Sequence, residues 1–292
     1  MLSWDKLARM QDAFAYSEAL VRAADRDRFL TGLFAPAAAR AALYALYAFN
    51  VEIARVREVA RDPLAGEIRL QWWGDVLDGE ARGDVEANPV AAALLATVAR
   101  HGLPVDRLKS LIAARRFDLY NEPMATLAEL EAYADDASAG LMALAAGVLD
   151  ARRSPDIDRL MHHAGAAHAI TGLLYALPTH AARGQLYVPV ELLQHRGGGQ
   201  AEIAAGVATA AVRAALTDLR QVARDHLAAA RRLLGAASPA LLPALLPLAP
   251  VPAMLTNMER RGYDPFAPLA IASWRRQWLI WRASRQPARL FA

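Results

Sequence analysis

Cysteine is absent from this 292-residue sequence. That excludes a disulfide scaffold, a thiolate-held zinc or iron–sulfur site, and thiol catalysis. Charge imbalance is nearly absent as well: 33 Lys and Arg stand against 30 Asp and Glu, a formal net charge of +3. So small and evenly spread an excess does not announce a nucleic-acid binder, and no nucleic-acid partner is expected. No run reaches the roughly 18 uninterrupted apolar residues of a membrane span. The nearest approach, Leu241–Pro252 (LLPALLPLAPVP), is broken by prolines and reads as a kinked, buried connection. The N-terminal stretch carries Asp5, Asp12 and Glu18, which fits neither a secretory leader nor an acid-poor transit peptide. The expected location is cytoplasmic, with peripheral attachment to the inner face of a membrane as its variant. Strand signals are scarce, and G-x-S-x-G, P-loop and G-x-G-x-x-G motifs do not occur. Gly197–Gly199 follows no strand and reads as a loop tip.

What remains is rich in alanine and leucine, 55% hydrophobic overall, with apolar positions recurring at three and four residues. That period predicts an all-α protein of about ten helices in one domain, residues 1–292. Breaks are expected at Gly32–Pro36, Asp62–Gly66, Gly83–Pro89, Gly102–Pro104, Asn121–Pro123, Ser154–Pro155, Gly184–Pro189, Gly197–Gly199, Ser238–Pro252 and Gly262–Pro265. Four histidines, His162, His163, His168 and His180, lie close together. None forms the i, i+4 pair of a helical zinc motif, so no metal site is expected. Asp135 and Asp136 read as a solvated helix face, since a carboxylate partner would have to come from Asp118 on another helix. Near the C-terminus, Ile271, Trp274, Trp278 and Trp281 form one helical stripe flanked by Arg275, Arg276 and Arg282. The simplest expectation is that the stripe packs inward; the alternative is an interfacial helix with peripheral membrane contact.

The chemistry-bearing pieces come in a definite order. Arg40–Glu58 (RAALYALYAFNVEIARVRE) is a helix with Tyr44, Tyr47 and Phe49. Gln71–Asp75 (QWWGD) precedes the Asn88–Pro89–Val90 turn, Thr126–Gly140 reads TLAELEAYADDASAG, and Arg183–Pro189 reads RGQLYVP. This ordered set resembles the squalene/phytoene synthase family over nearly the whole chain. The resemblance implies an all-α isoprenoid-synthase fold around a central apolar cavity, for which Tyr44, Tyr47, Phe49, Glu58, Tyr175 and Tyr187 are the lining candidates. In active members two Asp-x-x-x-Asp segments hold Mg²⁺ against a diphosphate leaving group. Residues i and i+4 share a helix face, and Mg²⁺ takes oxygen ligands.

Set against that pattern, the five aspartate positions are Ala54, Arg55, Glu58, Ala176 and His180, and the amide position before the second segment is Gly172. Only Glu58 is acidic. Its bland reading is a solvated partner of Arg55 or a neighbouring arginine. These departures resemble those of one branch, of the complex I (NADH dehydrogenase) assembly factor 6 type. That branch shows FNVE, here Phe49–Glu52, followed by an R-x-Q-[FW]-W element, here Arg69–Trp73. The resemblance implies a non-catalytic assembly factor with no catalytic residue and no cofactor. Its expected partner is a respiratory complex I subunit or assembly intermediate. The alternatives are a Mg²⁺-dependent prenyltransferase joining prenyl diphosphates head to head into squalene or phytoene precursors, and a carrier holding a lipid or isoprenoid in the cavity.

Overall fold

The computed structural model describes residues 4–152 and 154–291, and the regular elements among them are all helical. In chain order they begin with α1 (Trp4–Ala24), α2 (Arg26–Gly32), α3 (Ala37–Ala54), α4 (Val56–Val59), α5 (Pro63–Asp78) and α6 (Pro89–His101). Next come α7 (Val105–Phe117), α8 (Leu127–Ala134), α9 (Gly140–Leu149), α10 (Pro155–Tyr175), α11 (Leu177–Ala182) and α12 (Val190–His195). The last are α13 (Gln200–Ala204), α14 (Ala210–Leu233), α15 (Leu242–Leu245), α16 (Val251–Met258) and α17 (Ser273–Arg285). A π-helical turn, Asp135–Ala139, follows α8.

Many boundaries have local causes. Asp62 caps α5 by accepting from the amide of Ala65, with Pro63 at the first turn, where no donor is lost. Gly79, at φ 76°, ends the same helix in a conformation that disfavours any Cβ. Asn88 caps α6 by accepting from Val90 and Ala91. The expected break at Asp62–Gly66 is therefore only the start of α5. Gly66 lies inside the helix, where an added Cβ would meet the Cδ2 of Leu119 at 2.5 Å. Two further breaks, at Arg55 and Ala176, divide helices, and the second is followed by Pro178 in the first turn of α11.

The described residues form two compact units, each assembled from three stretches of chain. The first (1–119, 140–154 and 238–247) is organised on α3. Its residues Ala42–Val51 are buried without interruption, so apolar side chains face inward all round the helix. Helices α1, α6, α7 and α9 pack against it. The second unit (120–139, 155–237 and 248–292) is organised on the long pair α10 and α14. Leu160, Ala164, Ala167 and Leu174 of α10 are buried, as are Leu216, Leu219, Ala223 and Leu227 of α14.

The stretch Pro239–Met258 is long and apolar enough to cross a membrane by length and composition alone, but 72% of it is buried inside the protein. Pro239, Pro243 and Pro252 stand in first turns of short helical pieces and Pro250 caps the last of them, which lets the chain bend between helical turns.

Candidate functional site

The two short motifs, Phe49–Glu52 and Arg69–Trp73, meet in space. Helices α3 and α4 bring Glu52, Arg55, Val56 and Val59, and α5 brings Arg69, Trp72 and Trp73. With Asn88 they line a cleft of about 420 Å³ within the first unit. Such a volume suits a small ligand or a few side chains of a partner. Trp73 forms the floor: it is buried and stands edge-on to Phe49, ring centroids 5.1 Å apart, with Trp72 edge-on to it at 5.0 Å. Trp72 and Trp73 follow one another on α5, one half-exposed and one buried.

The rim carries two arginines beside the carboxylate of Glu52. Arg55 and Arg69 are exposed, and neither makes an ion pair among the described residues. Arg55 occupies the junction of α3 and α4, so the helix break itself turns this guanidinium to the rim. Beyond the cleft, Leu64, Ile68 and Trp72 fall at i, i+4 and i+8 of α5. Leu64 is 70% and Ile68 64% exposed, an apolar stripe facing solvent. Arg116 binds the polar flank of α5 through Glu67 at 3.2 Å and Gln71 at 3.1 Å.

The residues named as cavity-lining candidates take the following places. Tyr44 is buried, donates to the carbonyl of Phe29 at 3.0 Å and stacks on the Phe29 ring. Tyr47 is buried with the Arg28 guanidinium 5.8 Å from its ring centre, and burial holds its phenol well above the usual range. Phe49 is wholly buried against Trp73. Glu58 is exposed on α4. In the second unit, the Tyr175 hydroxyl accepts from the amide of Ile271 at 3.2 Å. Tyr187 packs against Tyr133 and His180 beside a cavity of about 10 Å³, room for one water at most. Asp118 pairs with Arg115 at 3.1 Å.

At the two motif positions the structure offers few hard ligands. Ala54 and Arg55 supply no oxygen donor in the first segment, and Gly172 and Ala176 supply none in the second, where His180 offers only nitrogen. These residues do not fit a magnesium–diphosphate cluster.

The tryptophan stripe near the C-terminus corrects the inward-packing expectation. Trp274, Trp278 and Trp281 are 70%, 46% and 54% exposed. The buried face of α17 is Leu279, Ile280 and Ala283 instead. Ile271 is buried but precedes the helix. Arg282 stacks over Trp278, 4.5 Å from its ring centre.

Sequence spacing also missed a meeting of histidines. His162 and His163 on α10 lie beside His226 of α14, with one ring nitrogen from each within 4.8 Å of the others. The third member lies 63 residues further on, so no local pattern could have signalled it. His168 instead bonds Ser138 Oγ at 3.2 Å.

The family model described as squalene/phytoene synthase matches residues 21–282. The rat protein named NADH dehydrogenase (ubiquinone) complex I, assembly factor 6 is 28% identical over 279 residues, covering 91% of this chain and 84% of that one. The 15-cis-phytoene synthase of Synechococcus elongatus is 25% identical over 286 residues, 92% of each chain. The crystal structure of squalene synthase HpnC from Alicyclobacillus acidocaldarius superposes with a TM-score of 0.77 at 24% identity. It covers 89% of this chain and 97% of its own, which is a likeness of fold.

Proposed function

The chain belongs to the squalene/phytoene synthase family, and we propose that it acts there as a non-catalytic assembly factor for respiratory complex I. One observation carries the reading. Arg55 stands at one of the positions where active members would keep aspartates, and it shares the cleft with Arg69, Glu52 and a tryptophan floor. Positive charge there repels Mg²⁺ and leaves an ionising diphosphate without its metal support. The same features suit a protein partner. An apolar stripe next to exposed cations fits a helix or loop that presents apolar side chains and a carboxylate.

The name carried by the rat relative supports complex I as the assembly concerned. In this reading the protein works at the cytoplasmic face of the membrane in which complex I is built. Exposed Trp274, Trp278 and Trp281 beside arginines support that location, because indole seats at headgroup depth and Arg attracts anionic lipid.

The test is co-purification of the full-length chain from its host. Complex I subunits or assembly intermediates should accompany the wild-type protein and be lost from Leu64→Glu/Ile68→Glu. Their absence from the wild-type preparation, together with diphosphate release from farnesyl or geranylgeranyl diphosphate and Mg²⁺, would overturn the reading.

A further inference from the structure

We propose that His162, His163 and His226 form a binding site for a divalent transition metal of the zinc class, with Asp135 and Glu131 orienting two of the imidazoles. The site lies wholly in the second unit and is independent of the cleft and of the complex I reading.

The geometry is that of a site needing little rearrangement. His163 Nδ1 and His226 Nδ1 are 2.9 Å apart. Two imidazole lone pairs cannot face each other at that distance, so one proton lies between them in the metal-free protein. A metal ion would replace that proton. Zinc bonds to histidine of 2.0–2.1 Å in a tetrahedron set two nitrogens about 3.3 Å apart, so this pair has only to open by about half an ångström. His162 completes the triangle, its ring centre 5.0 Å from that of His163 and 5.7 Å from that of His226.

The outer nitrogens are already engaged. His162 Nδ1 lies 2.7 Å from Asp135 Oδ1, and His226 Nε2 lies 3.3 Å from Glu131 Oε1. A carboxylate on one ring nitrogen holds the proton there and leaves the lone pair on the other, the arrangement that orients metal-binding histidines. For His226 the freed nitrogen is Nδ1, the one that faces His163; for His162 it is Nε2. His226 is nearly buried between α10 and α14, whereas His162 and His163 are half-exposed. An ion can therefore enter from solvent and keep a water as its fourth ligand.

The backbone supports the cluster from beneath. Asp135 opens the π-helical turn Asp135–Ala139, an irregularity of the kind often found at sites. Gly165, two residues beyond His163, brings α10 close against that turn. Three imidazoles with no thiolate select zinc, nickel, copper or cobalt over Mg²⁺ and Ca²⁺.

The experiment uses the full-length chain without a histidine tag, stripped by a chelator and returned to metal-free buffer. Calorimetric titration with Zn²⁺ should show one equivalent bound, and Mg²⁺ none. Co²⁺ at the same site should give the visible bands of a tetrahedral complex, displaced by Zn²⁺. His163→Gln/His226→Gln should abolish binding, and Glu131→Gln should weaken it by about 10-fold with the ligands intact. Should that double variant lose helical circular dichroism, His162→Gln provides the same test at a half-exposed position. Zinc should also raise the Tm of the wild type and leave that of the ligand variants unchanged. No zinc uptake, equal uptake by wild type and ligand variants, or Mg²⁺ bound as tightly as Zn²⁺ would overturn the proposal and leave a histidine hydrogen-bond cluster only.

Discussion

Gly165 approaches Ala139 so closely that a Cβ added to the glycine would stand 2.3 Å from the Ala139 Cα and 2.4 Å from its amide nitrogen. The obstruction is backbone, which no rotamer change relieves. Gly165→Ala should therefore push α10 away from the π-helical turn and destabilise the protein by about 1–3 kcal/mol or more. Denaturant unfolding measures this, and a change within experimental error would show that the two segments can separate freely.

Gly66→Ala makes a milder counterpart. The added Cβ meets the Cδ atoms of Leu119, the mobile end of a side chain. Part of the clash is relieved by a rotamer shift, and alanine favours the helix interior by up to ~1 kcal/mol. The loss on unfolding should be clearly smaller than for Gly165→Ala; the reverse order would contradict the packing described at α5.

Burial of Tyr47 sets an alkaline limit. Burial, the largest cause, raises its folded-state pKa above the ordinary phenol value of about 10. The protonated phenol is favoured in the folded chain, so its contribution is fully present below about pH 10. It is lost as pH rises from there toward the folded pKa. Tyr47→Phe should flatten the fall in stability above about pH 10. An unchanged alkaline profile would assign that loss to other groups.

The sequence made the helices legible because their caps are local. Asp62–Pro63, Asn88–Pro89 and the glycines after α5 and α6 are visible as letters. The break at Arg55 is not, because an ordinary helical residue carries it, whereas the one at Ala176 is marked by Pro178 in the first turn of α11. Of the site, the loss of carboxylates at Ala54, Arg55, Ala176 and His180 could be counted directly. That Glu52 and Arg69 share a cleft could not, since helix packing brings them together. The face of α17 was ambiguous for a physical reason. Trp274–Trp278–Trp281 and Leu279–Ile280–Ala283 both fit a helical stripe, and periodicity does not say which one faces the core.

Exposure of the tryptophans makes a separate prediction. Replacing Trp274, Trp278 and Trp281 together by alanine should change folding stability little, since surface substitutions usually stay within about 0.5 kcal/mol each. The same variant should lose flotation with anionic vesicles, which the wild type shows more strongly at low salt. A wild-type chain that never floats would remove the membrane surface from the account.

The central claim, assembly without catalysis, is tested most directly by the amount of assembled complex I in host cells lacking this gene. Native gels with in-gel NADH dehydrogenase staining should show a clear fall in the assembled complex. Wild-type chain should restore it, and so should Glu58→Gln, which removes the last acidic motif position. Leu64→Glu/Ile68→Glu, which charges the exposed face of α5, should not. Complex I at its normal level in the deletion strain, or rescue that depends on Glu58 and ignores the α5 face, would contradict the account.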